Sequence, residues 1–143
     1  MQDTNNNLSR AAGAPTLSVY LTVRDSEKSI AFYEKGFGFK LKDAAKGESG
    51  KIEHVEMTFE DALIMFAPEG AFGGISRAPK TSGTEVPIII YLYCRDVDAI
   101  YKSAIAAGAM SVMVPDDMFW GDRMCRVNDP DGYTWCFAKA AKK

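Results

Sequence analysis

His54 and Glu56 are the pair whose types and spacing most readily suggest chemistry: they stand two apart in an alternating stretch, so both side chains leave a strand on one face. An imidazole that titrates near neutrality can serve as a general base, and a neighbouring carboxylate can hold it in one tautomer. The same residues also read as a rim histidine and a solvated or Arg-paired carboxylate, because this is the chain's one histidine and no nucleophile accompanies it. Trp120 and Arg123 make a second constellation. The indole offers a flat apolar wall, and the guanidinium a bidentate anchor for a carboxylate, phosphate or enolate. Gly121 between them leaves room for close approach, although a plug and a salt bridge to Asp122 or Glu56 would use the same residues.

Cys94, Cys125 and Cys136 are odd in number and widely spaced, which suits reduced thiols in a reducing, cytoplasmic compartment. With His54 they could make a Cys3His zinc site, but the short-range ligand pairs usual for zinc are missing. A nucleophilic role for Cys136 would need His54 or Arg123 beside it to lower its pKa. Lys and Arg number 17 against 19 Asp and Glu, a net charge of −2, so neither a nucleic-acid footprint nor a polybasic membrane patch is present. The apolar run from Val86 to Tyr93 is strand-length, far short of the ~20 residues of a spanning helix, and residues 1–14 lack the apolar stretch of a secretory signal.

The elements that must position these residues come in two rounds. Residues 1–15 are polar and aperiodic and read as a disordered tail. Leu17, Val19, Leu21 and Val23 then alternate with Ser18, Tyr20 and Thr22, the period of a half-buried strand. Asp25 stands at an N-cap position before a helical stripe of Ile30, Tyr33 and Phe37, and Gly36 or Gly38 ends it. Strands follow at 39–43, 51–59 and 62–67, the last two joined by Glu60-Asp61. After a Gly- and Pro-containing linker, 68–87, long enough to cross the molecule or cover a cleft, the order restarts. Residues 88–94 read as a strand, Asp96 as the second N-cap, and Val97, Ile100, Tyr101 and Ala104 as a helical stripe ended by Gly108. Strands at 109–114, 122–127 and 133–138 complete the round, with Asp129-Pro130-Asp131-Gly132 as a turn. The fold class is thus α+β: two tandem βαβββ modules, 16–67 and 88–139, in one domain spanning 16–140. Neither module is large enough to close a core alone, so their eight strands should form an open, cup-shaped sheet.

This order, together with Val23-Arg24-Asp25, Phe119-Trp120-Gly121-Asp122-Arg123 and Asp129-Pro130-Asp131-Gly132-Tyr133, resembles the vicinal oxygen chelate superfamily of glyoxalase I, extradiol dioxygenases and bleomycin-resistance proteins. The W-G-D-R segment and the H-x-E of His54 to Glu56 look most like its PhnB-like branch. The resemblance covers residues 16–139 and implies a homodimer whose cup holds a small organic molecule. Active members place a metal at the floor of the cup on four positions, which fall here on Ser18, Glu56, Ile90 and Cys136. Only Glu56 is a ligand of the family's type, so no cofactor is expected, and a divalent metal would have to rest on Glu56 with too few donors. The resemblance therefore implies a metal-independent binder of an amphipathic metabolite or antibiotic, lined by Ser18, Tyr20, His54, Glu56, Leu92, Trp120, Arg123 and Cys136. Its alternatives are a lyase, isomerase or dioxygenase of the glyoxalase type with a metal at Glu56, or a metal-free acid-base enzyme using His54.

Overall fold

A computed structural model describes residues 9–141. Residues 1–8 of the expected tail lie outside the described residues, and 9–18 carry no helix or strand. The first round comprises β1 (Val19–Val23), α1 (Ser26–Phe32) with a π turn over Tyr33–Phe37, β2 (Lys40–Lys46), β3 (Ile52–Phe59) and β4 (Ala62–Pro68). In the linker come a 3-10 turn at Ala71–Gly73 and the short α2 (Pro79–Ser82). The second round comprises β5 (Ile89–Tyr93), α3 (Val97–Ala107), β6 (Met110–Asp117), β7 (Asp122–Asn128) and β8 (Thr134–Ala140).

Helices α1 and α3 begin as the sequence predicts. The carboxylate of Asp25 accepts from the Lys28 N–H, and that of Asp96 from the Ala99 N–H, each at 3.0 Å. Strand order and direction are the same in the two rounds. β1 runs parallel to β4, followed by antiparallel β3 and β2; β5 runs parallel to β8, followed by antiparallel β7 and β6. Within one chain the eight strands therefore form two open four-stranded sheets, here A and B, and β1 and β5 are each an edge strand.

The two sheets share one core. Leu21, Val23, Val55, Met57 and Phe66 of sheet A, together with Cys125, Val127, Trp135 and Phe137 of sheet B, enclose Phe32, Tyr33 and Phe37 of the helical layer. Their rings pack edge-on or tilted, as between Phe37 and Phe137 at 4.7 Å and Tyr33 and Trp135 at 5.6 Å. One face of each sheet is thereby buried against the other module, and the opposite face points outward. Leu17, expected on the inner face of β1, is 85% exposed because the strand begins only at Val19.

The D-P-D-G turn ties the modules together. Asp129, buried among apolar side chains, accepts from the Tyr33 hydroxyl at 2.6 Å and the Trp135 indole N–H at 2.9 Å. Its other oxygen accepts the backbone N–H groups of Asp131 and Tyr133. Asp131 in turn holds Arg24 at 2.9 Å and accepts from Ser29. The linker docks on this turn, with the Lys80 N–H donating to the Asp131 carbonyl at 2.9 Å. A Cβ on Gly132 would stand 3.0 Å from Pro79, so the close approach requires glycine. No described helix is long and apolar enough to cross a membrane.

Candidate functional site

On sheet A, strand alternation puts Leu21, Val55, Met57 and Phe66 inward and Tyr20, Thr22, His54, Glu56 and Thr58 outward. Ser18, just before β1, shares the side of Tyr20 by the same period. Glu56 and Tyr20 both register with Met65 of β4, which places them in one row. Three side chains are brought together there. The Tyr20 hydroxyl lies 2.9 Å from His54 Nδ1, and His54 Nε2 lies 2.9 Å from Glu56 Oε2. A carboxylate can only accept, so Nε2 carries a proton, and when the ring is neutral its Nδ1 accepts from the phenol. Lys42 Nζ stands 3.7 Å from the second Glu56 oxygen. Burial, then the Glu56 charge, raises the Tyr20 pKa, so the phenol keeps its proton and donates it along the chain. The arrangement can pass a proton between Tyr20 and Glu56 through the imidazole.

On sheet B the large apolar residues decide which way the strands face. Trp135 and Phe137 of β8 point into the core with Ile90, Leu92 and Cys94 of β5 beside them. Leu92, read as lining the cup, therefore lies on the opposite face, and so does Ile90, assigned to the third metal position. Tyr91 and Tyr93 take the outward places instead, in register with Cys136 and Ala138. Cys136 is on the outward side but is covered, in a small cluster with Met124 and Ala138 over which Met113 and Met118 pack.

Tyr91, Tyr93 and Trp120 converge on Asp122, which is 7% exposed. Both phenols and the indole N–H donate to its Oδ2, at 2.5, 3.0 and 3.3 Å. Burial and the bond to Asp122 push the Tyr91 hydroxyl up to about 12, so it remains a donor at any physiological pH. These rings form a half-exposed aromatic wall with their polar tips gathered at one carboxylate: Tyr91 is 41%, Tyr93 58% and Trp120 51% exposed. Gly121 has φ 102°, and a Cβ there would meet nothing within 4 Å. The glycine serves the left-handed turn, and beyond its chain neighbours no described residue crowds it.

Arg123 does not join Trp120. It points to the helix side, where its guanidinium grips Asp98 of α3 with two bonds, at 2.8 and 2.9 Å, and Asp117 with a third at 3.2 Å. That pairing holds the Asp98 carboxyl below its usual range. Arg123 thus clamps β7 to α3 on the helix side, apart from the Trp120 with which the sequence grouped it. Three residues on, an odd strand spacing, Arg126 takes the opposite face, in register with Cys136 and Met113. Its Nε is buried without a hydrogen-bond partner, and no carboxylate among the described residues pairs with it. Leaving a buried donor unsatisfied costs about 1–3 kcal/mol.

The sequence could have yielded Tyr91, Tyr93, Asp122 and Arg126. Trp135 and Phe137 must face the core, which sends Cys136, its neighbour Tyr91 and the facing Arg126 outward. The metal positions implied by the resemblance pointed the other way on β5.

The described donors for a metal do not gather in one place. Among the described residues no three of His, Cys, Asp and Glu could hold an ion. Glu56 is engaged by His54 and Lys42 on sheet A, Ile90 is in the core, and Cys136 is on sheet B. The weighed Cys3His set fails likewise, because Cys94 and Cys125 face the core and His54 the outside of the other sheet. Burial pushes the Cys125 thiol up to about 11 and raises that of Cys94, as for inert packing groups. Neither His54 nor Arg123 shares a face with Cys136, so the activation considered for that thiol has no partner of the expected kind. A concavity of about 610 Å³ lies on the helical side between α1, Ala107 and Pro130, away from both outer faces.

Two βαβββ modules packed through their helices, each with an open outward sheet face, define a paired-module α+β architecture. The chain belongs to the Glyoxalase/Bleomycin resistance protein/Dioxygenase superfamily, whose match spans residues 15–137. Uncharacterized protein Rv0887c of Mycobacterium tuberculosis is 33% identical over 131 residues, 90% of this chain and 76% of that protein. The crystal structure of TioX from Micromonospora sp. ML1 superposes with TM-score 0.69 at 26% identity, covering 87% of this chain and 97% of TioX. A glyoxalase-related enzyme from Fulvimarina pelagi shares the fold, with TM-score 0.65 at 20% identity over 86% of each chain.

Proposed function

We propose that the protein is a homodimeric, metal-independent binder of a small amphipathic molecule, such as a metabolite or antibiotic, held between the outer face of sheet A and the outer face of sheet B of a second copy. The observation that carries this reading is that both outer faces are built but uncovered: a polar Tyr20-His54-Glu56 row on one, an aromatic wall over an apolar floor on the other. Beside each face runs an unpaired edge strand, β1 or β5, and such edges are covered or paired in native assemblies. Exposed Phe119, Trp120, Tyr91 and Tyr93 make an apolar patch of the kind that marks an interaction surface. A shared cup would cover the patch and bury the ligand's apolar body, while the phenols and Glu56 meet its polar groups.

The W-G-D-R and H-x-E segments support placement in the PhnB-like branch, and three unpaired thiols suit the reducing cytoplasm. Light scattering should give twice the 15.7 kDa chain mass. A thermal-shift screen of metals, antibiotics and thiol conjugates should find an organic compound that raises the melting temperature, since a ligand of the folded state stabilises it. A monomeric mass would overturn the reading. Stoichiometric metal in protein purified without chelator, lost in Glu56→Ala, would replace it with a glyoxalase-type lyase, isomerase or dioxygenase.

The Tyr20-His54-Glu56 relay favours a second reading, a metal-free acid-base enzyme in which His54 takes a proton through Tyr20 and Glu56 fixes its tautomer. Turnover of a ligand found in the screen, unchanged in His54→Ala, would end it.

A further inference from the structure

We propose that Arg126 is an anion anchor on the outer face of sheet B, so that the ligand carries a carboxylate, phosphate or similar acid on an apolar body. This rests on the reading of the outer faces as a ligand site and adds to it the chemical class of the ligand. Arg126 stands apart from the cations that the structure pairs. Arg24 is held by Asp131, Arg95 by Glu60, Arg123 by Asp98 and Asp117, and Lys42 by Glu56. Among the described residues Arg126 has no such acceptor, although its Nε is already withdrawn from water. It is also central, one row across from Tyr91 through Cys136, with Met113 on its other side. A planar guanidinium presents parallel N–H donors that match a two-oxygen acid, and the surrounding methionines and thiol lower the local dielectric, which strengthens such a bond. The aromatic wall at Asp122 is separately satisfied and would face the ligand's apolar part.

The test compares two fluorescent probes of similar shape, anionic 8-anilinonaphthalene-1-sulfonate and neutral N-phenyl-1-naphthylamine, by titration of the full chain. The wild type should bind the sulfonate more tightly by about tenfold or more, the ratio expected for one charge-assisted contact. Arg126→Met should abolish that preference by weakening the sulfonate alone, and Arg126→Lys should restore part of it. Arg95→Gln, which removes a surface cation elsewhere, should leave the preference in place. The unliganded Arg126→Met protein should melt no lower than the wild type, because it no longer strands a buried donor. A preference that survives in Arg126→Met would overturn the proposal, as would a lower melting temperature or loss of the dimer in that variant, which would mark Arg126 as a structural group. Binding of the neutral probe with no preference for the sulfonate would remove the anchor and leave the cup; failure of both probes to bind would remove the cup and the anchor together.

Discussion

In each module the arginine ahead of the helix reaches the hairpin turn of the other module, Arg24 to Asp131 and Arg95 to Glu60, yet the two contacts sit in different surroundings. Arg24 meets a turn whose carboxylates are buried and tied to Tyr33, Trp135 and Ser29. Arg95 meets an exposed carboxylate in solvent, with side chains 88% and 55% exposed. The outer faces have diverged in the same way, polar on sheet A and aromatic on sheet B. A duplicated topology can therefore keep one strand order while its halves divide the work: one turn fixes how the modules meet, and the two faces offer unlike chemistry to whatever lies between them.

The largest effect should come from the buried turn. Asp129→Ala strands the Tyr33 hydroxyl and the Trp135 N–H and should cost about 3–5 kcal/mol in denaturant melts, whereas Glu60→Ala should stay within about 0.5 kcal/mol of wild type. Equal losses would break the asymmetry. Next comes pH. Burial lifts the Asp129 carboxyl from 3.8 to about 6 against the pull of its hydrogen bonds. Between those values the folded chain holds a proton that the unfolded chain has released. The stabilisation is complete below about 4 and is lost as pH rises through about 6. Relative to Asp129→Asn, the wild type should lose about 3 kcal/mol between pH 4 and pH 7, and a flat difference would contradict the raised pKa. The smallest effects belong to the open face of sheet A. Tyr20→Phe should change stability by under about 1 kcal/mol, while the nitrogen-15 resonance of His54 Nδ1 shifts as its donor is removed. An unmoved resonance would mean that the relay is not formed in solution.

Much of this was legible in the sequence, where the physics is local. The Asp25 and Asp96 caps, the helical stripes, the strand order and the D-P-D-G turn each depend on neighbours within a few residues. The outward pairing of His54 with Glu56 followed from a spacing of two. What stayed hidden depended on which face of a uniformly apolar strand turns inward. In the segment Ile88 to Cys94 apolar and aromatic residues stand on both faces, so alternation alone could not place Leu92 or Tyr91. Arg123 and Arg126 differ in kind only because Asp98 of α3 arrives beside one of them, a contact made across 25 residues. Long-range neighbours decide whether an arginine is a clamp or a free cation, and no short window contains them.

Whether the two outer faces meet across copies is tested directly by subunit complementation. Chains carrying Tyr20→Ala on sheet A and Arg126→Met on sheet B are purified as a mixed dimer with two tags, then titrated with 8-anilinonaphthalene-1-sulfonate. If each cup joins sheet A of one copy to sheet B of the other, one cup receives both substitutions and the other receives none, so the mixed dimer should show one site of wild-type affinity. A mixed dimer in which every site is weakened would place the cup within a single chain and contradict the account.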